Sequence, residues 1–256
     1  MNQKGGVPVK GLSPQLRRGL GLRFWLAVLA TVGLIGSTFL NPVLQTLQTG
    51  GRFSQYYHHE LILQALTSDT LAAFLPVLAA LPLAAGYLED IKSKFARFLL
   101  VRESFTGYLL GIGVACWLCG GGAAVLGALG AWGAAALVFT PLETVTEEVQ
   151  VLVPQIVGQL ELVFLCGGLW AVVGMALSTV MESKYIAYVS PFIVYYLLVI
   201  LYERYLPDTF LLYPKHWLSS EGWPFGRLGA AVFLLEWAAL AELIFYFRGK
   251  RRLNAL

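Results

Sequence analysis

The most conspicuous residues able to do chemistry are two carboxylates inside one long apolar segment. Glu236 lies near the middle of this segment and Glu242 lies nearer its end. A charge at the middle of a bilayer costs at least about 2.5–3.5 kcal/mol on insertion scales, so a partner or a proton must offset it. Two interpretations stay open: Glu236 and Glu242 line a translocation path, or each forms a hydrogen bond to a neighbouring helix. For Glu242 a third is open, in which its side chain reaches the inner membrane interface.

The other candidate motifs lack the spacing that their chemistry requires. His58 and His59 are adjacent, so they do not share a helix face, and a zinc site would need further ligands. Gly249-Lys250 lacks the upstream glycine of a phosphate-binding loop. We therefore expect no catalytic residue, no metal site and no cofactor in this chain, and we expect that the chain is not an enzyme.

The elements that carry these residues are predicted to be membrane spans. The chain has 256 residues, of which 57% are hydrophobic and 13% are charged, whereas a soluble domain carries about 25% charged residues. The apolar residues come in blocks of about 20, the length of a helix that crosses a bilayer. The six predicted spans are Leu22–Leu40, Leu71–Leu88, Tyr108–Ala131, Leu160–Met181, Tyr185–Tyr202 and Leu228–Phe247.

The third apolar run is longer than one upright span. It has no charged residue between Tyr108 and Phe139. This uncharged run is too long for one upright helix and too short for two. We expect a single tilted helix with an extension beyond the membrane. Three consecutive glycines at 120–122 lie within it and favour close helix packing or a local kink.

The distribution of basic residues predicts the orientation. Fourteen of the 18 Lys and Arg residues lie in the N-terminal segment, after the second span, after the fourth span and in the C-terminal tail. Basic residues concentrate in cytoplasmic segments, so both termini are predicted to be cytoplasmic in the cell membrane. This bias accounts for the net charge of +3, and we expect no nucleic-acid partner.

Two segments outside the spans have a recognisable pattern. Residues Gly11–Arg23 mix leucines with three arginines after Ser13-Pro14, a good helix start. This pattern fits either a helix on the inner membrane surface or a positive flank that only fixes topology. In the outward segment Leu206–Arg227, three aromatic side chains fit an interfacial aromatic belt; they are Tyr213, Trp217 and Trp223.

A charged amphipathic helix is predicted between the second and third spans. Its apolar face carries Leu88, Ile91, Phe95, Phe98 and Leu99. Its other side carries Glu89, Asp90, Lys92, Ser93, Lys94 and Arg97. We expect this helix to lie flat at the inner interface with its polar face toward the cytosol. The mixture of signs favours a protein partner, because a helix that binds anionic lipid would be nearly all basic.

Two stretches of sequence resemble a known family. The first reads Tyr-Leu-Glu-Asp-Ile-Lys-Ser-Lys-Phe at 87–95, then Phe-Leu-Leu-Val-Arg-Glu-Ser at 98–104, with a new span at Gly107-Tyr108. The second covers 182–196. This pattern resembles the membrane subunits of bacterial ABC-2 type transporters, and is similar to the small permeases of Gram-positive bacteria linked to lantibiotic export and immunity. Lys94 stands where those proteins commonly have Gly.

The resemblance implies a partner that supplies the energy. Such permeases pair as two membrane subunits, identical or different, with two separate cytosolic ATPase subunits that hold ATP and Mg. The segment Glu89–Arg102 would be the coupling helix seated in the ATPase. The residues that would couple to the ATPase are Glu89, Asp90, Lys92, Lys94, Phe95, Arg97, Phe98 and Arg102.

The expected fold is an all-α membrane protein with one domain and the ABC-2 (type V-like) exporter architecture. Residues 1–21 would form a cytoplasmic interfacial segment, 22–247 the six-helix membrane domain and 248–256 a cytoplasmic tail. The expected function is a permease subunit that exports a peptide, lipid or drug-like substrate. Two alternatives remain: an immunity or interaction protein that binds its ligand without transport, and a membrane enzyme acting on lipid-phase substrates.

Overall fold

The computed structural model of the chain describes residues 12–48, 53–94, 104–143 and 152–253, and these residues form a helical bundle. The α-helices in these ranges are α1 (Leu12–Gly19), α2 (Leu22–Thr38), α3 (Leu40–Gln48), α4 (Tyr57–Leu66), α5 (Asp69–Ala80), α6 (Gly86–Lys92), α7 (Phe105–Phe139), α8 (Val153–Met181), α9 (Lys184–Arg204) and α10 (Arg227–Leu253). Short 3₁₀ turns lie at Thr140–Leu142, Phe210–Leu212 and Pro214–Leu218.

Five helical segments of the described chain are long and apolar enough to cross a membrane. They are Leu22–Gln48, which joins α2 and α3, then Phe105–Leu142, α8, α9 and α10. The pair α4–α5 passes the same test together but is bent by 65°. The chain is therefore a helical protein with the character of a multi-pass membrane protein, with five candidate spans, or six if the bent pair is one span.

The second predicted span, Leu71–Leu88, is not one continuous helix. Helix α5 ends at Ala80, the chain turns through 81–85, and α6 begins at Gly86. Pro82 lies in this turn, and proline has no amide hydrogen to donate to the preceding helical turn. At 1.5 Å per residue, the 12 residues of α5 reach about 18 Å, well short of a hydrocarbon core of about 30 Å.

Helix α7 confirms the single helix expected for the third apolar run. It continues for 35 residues, or about 52 Å, and therefore exceeds the thickness of a bilayer core. Its start is capped by Ser104, whose hydroxyl oxygen accepts a hydrogen bond from the backbone N–H of Gly107 at 3.1 Å. This cap satisfies one of the free donors at the helix start.

The glycine triplet at 120–122 makes a close crossing between α7 and its neighbours. A Cβ on Gly120 would lie 2.8 Å from the carbonyl oxygen of Ala79 in α5. A Cβ on Gly121 would overlap the carbonyl oxygen of Phe164 in α8, whereas one on Gly122 would meet no atom closer than 3.9 Å. The close-packing interpretation is therefore confirmed for two of the three glycines, since α7, α8 and α5 approach through their backbones there.

The two ends of the bundle differ in their charge. At one end, which we call the basic end, α2 and α9 begin and α6 and α10 finish; it includes Arg23, Lys92, Lys184 and Arg248. Contacts of α1 and of the last turn of α10 with α6 place both at this same end. The region expected as a tail after residue 247 is helical through Leu253.

The opposite end is closed by a packed aromatic cap, which corrects the expected aromatic belt. Trp217 and Trp223 are 4% and 7% exposed, so they belong to the core of the bundle. The indole N–H of each donates to a backbone carbonyl, that of Leu211 and that of His216, both at 2.9 Å. The ring of Trp217 also stacks on that of Trp170, with the ring centroids 5.5 Å apart.

The glycine crossing gives a testable difference between two neighbouring positions. Gly121→Ala should destabilise the bundle by about 1–3 kcal/mol, because the new methyl group meets a backbone carbonyl that has no freedom to move aside. Gly122→Ala is the control, and it should change stability little. Thermal unfolding of both variants in the same detergent measures the difference, and equal unfolding temperatures would contradict the proposed crossing.

Candidate functional site: a charged cluster around α6

The most unusual polar arrangement in the described chain is centred on Asp90 of α6. The Asp90 side chain is only 2% exposed and forms an ion pair with Arg18 of α1. Its other carboxylate oxygen accepts a hydrogen bond from the Tyr108 hydroxyl of α7 at 2.6 Å. A buried carboxylate needs such partners, because burial without them costs several kcal/mol.

The neighbouring carboxylate, Glu89, extends the same arrangement toward α2. Its side chain lies 2.7 Å from the Arg23 guanidinium and 3.3 Å from that of Arg18. Arg23 also donates a hydrogen bond to the Tyr188 hydroxyl of α9 at 3.2 Å. We call these six residues the charged cluster: Arg18, Arg23, Glu89, Asp90, Tyr108 and Tyr188. Its two guanidinium groups balance its two carboxylates.

A further hydrogen bond connects α6 to the last span. The Tyr87 hydroxyl donates to the carbonyl oxygen of Gly249 in α10 at 3.0 Å. Burial raises the pKa of Tyr87, so the hydroxyl stays protonated and continues to donate. Helix α6 is therefore joined by polar contacts to α1, α2, α7 and α10, and α9 joins the cluster through Arg23.

Local sequence explains how α1 reaches α6. The amphipathic helix expected within Gly11–Arg23 is present as α1, which ends at Gly19 before a turn at Leu20-Gly21. Gly19 packs directly on Cys119 of α7, where a Cβ would overlap the sulfur. This contact holds α1, which carries Arg18, against α7. The turn at Leu20-Gly21 then places Arg23 in the first turn of α2, beside Glu89.

The structure corrects the predicted polar face of the segment after the second span. Asp90 was expected to face the cytosol, yet it is buried against α1 and α7. Lys92 and Lys94 are exposed as expected. The expected continuous helix to Arg102 is interrupted, because α6 ends at Lys92 and Lys94 has a φ of 59°. Phe95, Arg97, Phe98 and Arg102 lie outside the described residues.

The conformation of Lys94 explains why a glycine would suit this position. A φ of 59° is in the left-handed region, which costs most L-residues roughly 1–2 kcal/mol and glycine nothing. The Lys94 backbone N–H donates to the carbonyl of Ile91 at 3.0 Å, as in a helix C-terminal turn that glycine usually completes. Lys94 therefore places a long side chain at a position whose backbone conformation glycine prefers.

The two intramembrane acids are not brought together. Glu242 lies against Gly113 of α7, and its Oε1 is buried without a hydrogen-bond partner among the described residues. Glu236 is exposed on a different side of α10. Six residues of helix place their directions about 120° apart, so the two carboxylates do not line one path in this chain. Nor does Oε1 of Glu242 make the alternative hydrogen bond to any neighbouring helix in the described part of the chain.

The histidine pair lies at the opposite end, in a different setting from the charged cluster. His58 Nδ1 lies 2.6 Å from Oε1 of Glu143, which also accepts the backbone N–H of His58 at 3.1 Å. Burial would raise the pKa of Glu143, but these hydrogen bonds outweigh it and lower that pKa. Within the described ranges, no group of three or more His, Cys, Asp or Glu residues is placed to hold a metal.

Sequence reasoning missed four members of the charged cluster. Arg18 and Arg23 were assigned only to an interfacial helix or positive flank, and Tyr108 and Tyr188 only to spans. A usable signal existed: two adjacent carboxylates, Glu89 and Asp90, stand at an end of the bundle where nearly all other charges are basic. Opposite charges confined to one end are expected to pair.

The charged cluster has no counterpart in a recognised relative. The sequence matches no protein-family model, and comparison with curated proteins and with solved structures gives no match. Its function is therefore argued from its own geometry.

Removing the buried carboxylate tests the cluster. Asp90→Ala removes the partner of the Tyr108 hydroxyl and one of the two carboxylates that pair with Arg18, and should destabilise the protein by about 1–3 kcal/mol. Lys92→Ala, two residues away and exposed, is the control and should stay within about 0.5 kcal/mol of wild type. Chemical unfolding in mixed micelles measures both, and a mild Asp90→Ala effect would contradict the assigned pairing.

The backbone at Lys94 predicts a stabilising substitution. Lys94→Gly relieves the left-handed strain and should stabilise the protein by about 0.5–1 kcal/mol after the greater freedom of the unfolded glycine is subtracted. Ser93→Gly is the matched control: Ser93 has a φ of −80° and gains nothing, so it should be neutral or destabilising. Thermal unfolding of the two variants measures which is more stable. A Lys94→Gly variant less stable than Ser93→Gly would contradict the left-handed conformation assigned to Lys94.

Proposed function

We propose that the chain is the permease subunit of a membrane transporter powered by a separate ATPase. The observation that supports this proposal is the position of α6. Its side chains Glu89 and Asp90 connect it to α1, α2 and α7, while Lys92 beside them remains exposed. An element that is accessible at one side and bonded to several spans at the other is suited to transmit a push into the membrane.

In this proposal the basic end faces the cytosol. Basic residues there would follow the positive-inside rule, and Lys92 and Lys94 would form the part of the described chain that meets the ATPase. Glu89 and Asp90 take a different role from the one that the resemblance implied. They transmit the movement to Arg23, Arg18 and Tyr108 rather than contact the partner. The ATPase subunits supply ATP and Mg, and a second permease subunit completes the assembly.

The substrate class follows only from the resemblance: a peptide, lipid or drug-like molecule moved outward. The immunity alternative shares the membrane location and differs in its partner, because it needs no ATPase. The membrane enzyme is the least favoured, since the polar side chains buried in the described spans are scattered and form no metal-binding group.

Co-purification with the neighbouring gene products tests the proposal. The tagged chain should bring down an ATPase subunit whose ATP hydrolysis in lipid nanodiscs rises on assembly with the permease. Lys92→Glu with Lys94→Glu should lower that hydrolysis at least tenfold, because two attractive charges become repulsive at the contact. The double variant should keep the wild-type melting temperature, since both side chains are exposed.

Arg17→Glu with Lys184→Glu is the matched control for charge. Both residues are exposed and lie outside α6, so this variant should keep full stimulated hydrolysis. Failure of any ATPase to assemble, with a ligand bound by the chain alone, would favour the immunity alternative. Equal loss in the two double variants would contradict the specific role of α6.

A further inference from the structure

An apolar groove runs along one side of α10 toward the basic end. It has a cavity volume of about 240 Å³ and lies between α8, α9 and α10. Val173 and Leu177 form its floor on α8, Leu198 one wall on α9, and Trp237 and Ile244 the other wall on α10. Trp237 and Ile244 are 44% and 46% exposed, so the groove is open to its surroundings along α10.

A basic pocket follows the groove one helical turn further along α8 and α10. Its cavity volume is about 220 Å³, and it is lined by Thr179, Val180, Glu182, Arg248, Arg251 and Arg252. On α8 the spacing from Leu177 to Val180 is three residues, and on α10 the spacing from Ile244 to Arg248 is four. Residues three and four apart share one face of a helix, so the groove and the pocket lie in line on the same faces of α8 and α10, and we call the two together the channel.

The arginines of this pocket have different roles. Arg252 is held in place, because it pairs with Glu182 at 2.6 Å and donates to the carbonyl oxygen of Thr179 at 3.3 Å. Arg248 and Arg251 are exposed and form no ion pair with any residue that the structure describes. Three guanidinium groups face one carboxylate in this pocket, so two positive charges have no balancing anion among the residues that the structure describes.

We propose that this channel binds one anionic phospholipid. The phosphate of the headgroup contacts Arg248 and Arg251, and one acyl chain lies in the apolar groove between α9 and α10. Guanidinium groups bind phosphate through two parallel hydrogen bonds, and basic pockets between spans bind anionic headgroups. A free phosphate ion has no acyl chain to fill the apolar groove. A neutral lipid has no net negative charge to balance the two arginines. This inference does not depend on an ATPase.

The charged cluster provides a contrast on the same end of the bundle. A cavity of about 300 Å³ beside it is lined by Arg18, Arg23 and Glu89. Its two arginines are already paired with carboxylates, and it therefore offers no net positive charge to a phosphate. The difference between the two cavities predicts that a single site near α10 takes the lipid.

Lipid titration of the purified chain tests this proposal. Dioleoyl phosphatidylglycerol added to the protein in neutral detergent should raise its melting temperature in a saturable way. Dioleoyl phosphatidylcholine and inorganic phosphate, at the same concentrations, should raise it far less. Arg248→Gln with Arg251→Gln should weaken the apparent phosphatidylglycerol affinity about tenfold, and Ile244→Trp, which fills the groove, should weaken it without removing a charge.

Arg17→Gln with Lys250→Gln is the matched control. It removes the same total charge from exposed positions at the same end and should keep the wild-type affinity. Equal stabilisation by phosphatidylcholine would overturn the headgroup contact, and equal stabilisation by inorganic phosphate would overturn the acyl-chain contact. If both double variants weakened the phosphatidylglycerol affinity equally, the effect would come from the overall charge of the protein. That result would also contradict a specific site at Arg248 and Arg251.

Discussion

The burial of one carboxylate, Asp90, constrains the basic end of this protein. A carboxylate that is 2% exposed is stable only if cations and hydrogen-bond donors surround it. Arg18 and Tyr108 provide these contacts from two helices that are distant in sequence. The N-terminal helix α1 must therefore fold back onto α6 and α7. A segment that resembles a simple positive flank becomes an integral part of the bundle.

The middle of the bundle is assembled by a different interaction. Around Gly120 and Gly121, the helices α5, α7 and α8 approach so closely that no side chain fits between them. In lipid, such close van der Waals packing replaces the hydrophobic driving force of a soluble core. The polar contacts at the basic end fix the order and direction of the helices, and the glycine crossing fixes the distance between them. A displacement of α6 would thus be passed to helices that are already in contact.

Hydropathy predicted most of the helices, because a long apolar run has few other stable forms in a membrane. It predicted α7 as one long helix and placed α8, α9 and α10 within several residues of their positions. It did not predict the break at 81–85, since Pro82 is compatible with either a kink or a turn. Nor did it predict that Asp90 points inward. Helical periodicity tells which residues share a face, but the direction of a charged face depends on partners such as Arg18, which lie far away in sequence.

Glu236 is exposed on α10 and, like Asp90, is a carboxylate that needs a partner. It lies 12 residues before Arg248, or about 18 Å along α10, which is too deep for a short glutamate side chain to reach the headgroups at the basic end. It points away from the buried face formed by Leu234 and Phe245. A carboxylate there needs a covering partner, because exposure to hydrocarbon costs at least about 2.5–3.5 kcal/mol. In the proposed assembly, a second permease subunit packed on this side of α10 would cover Glu236.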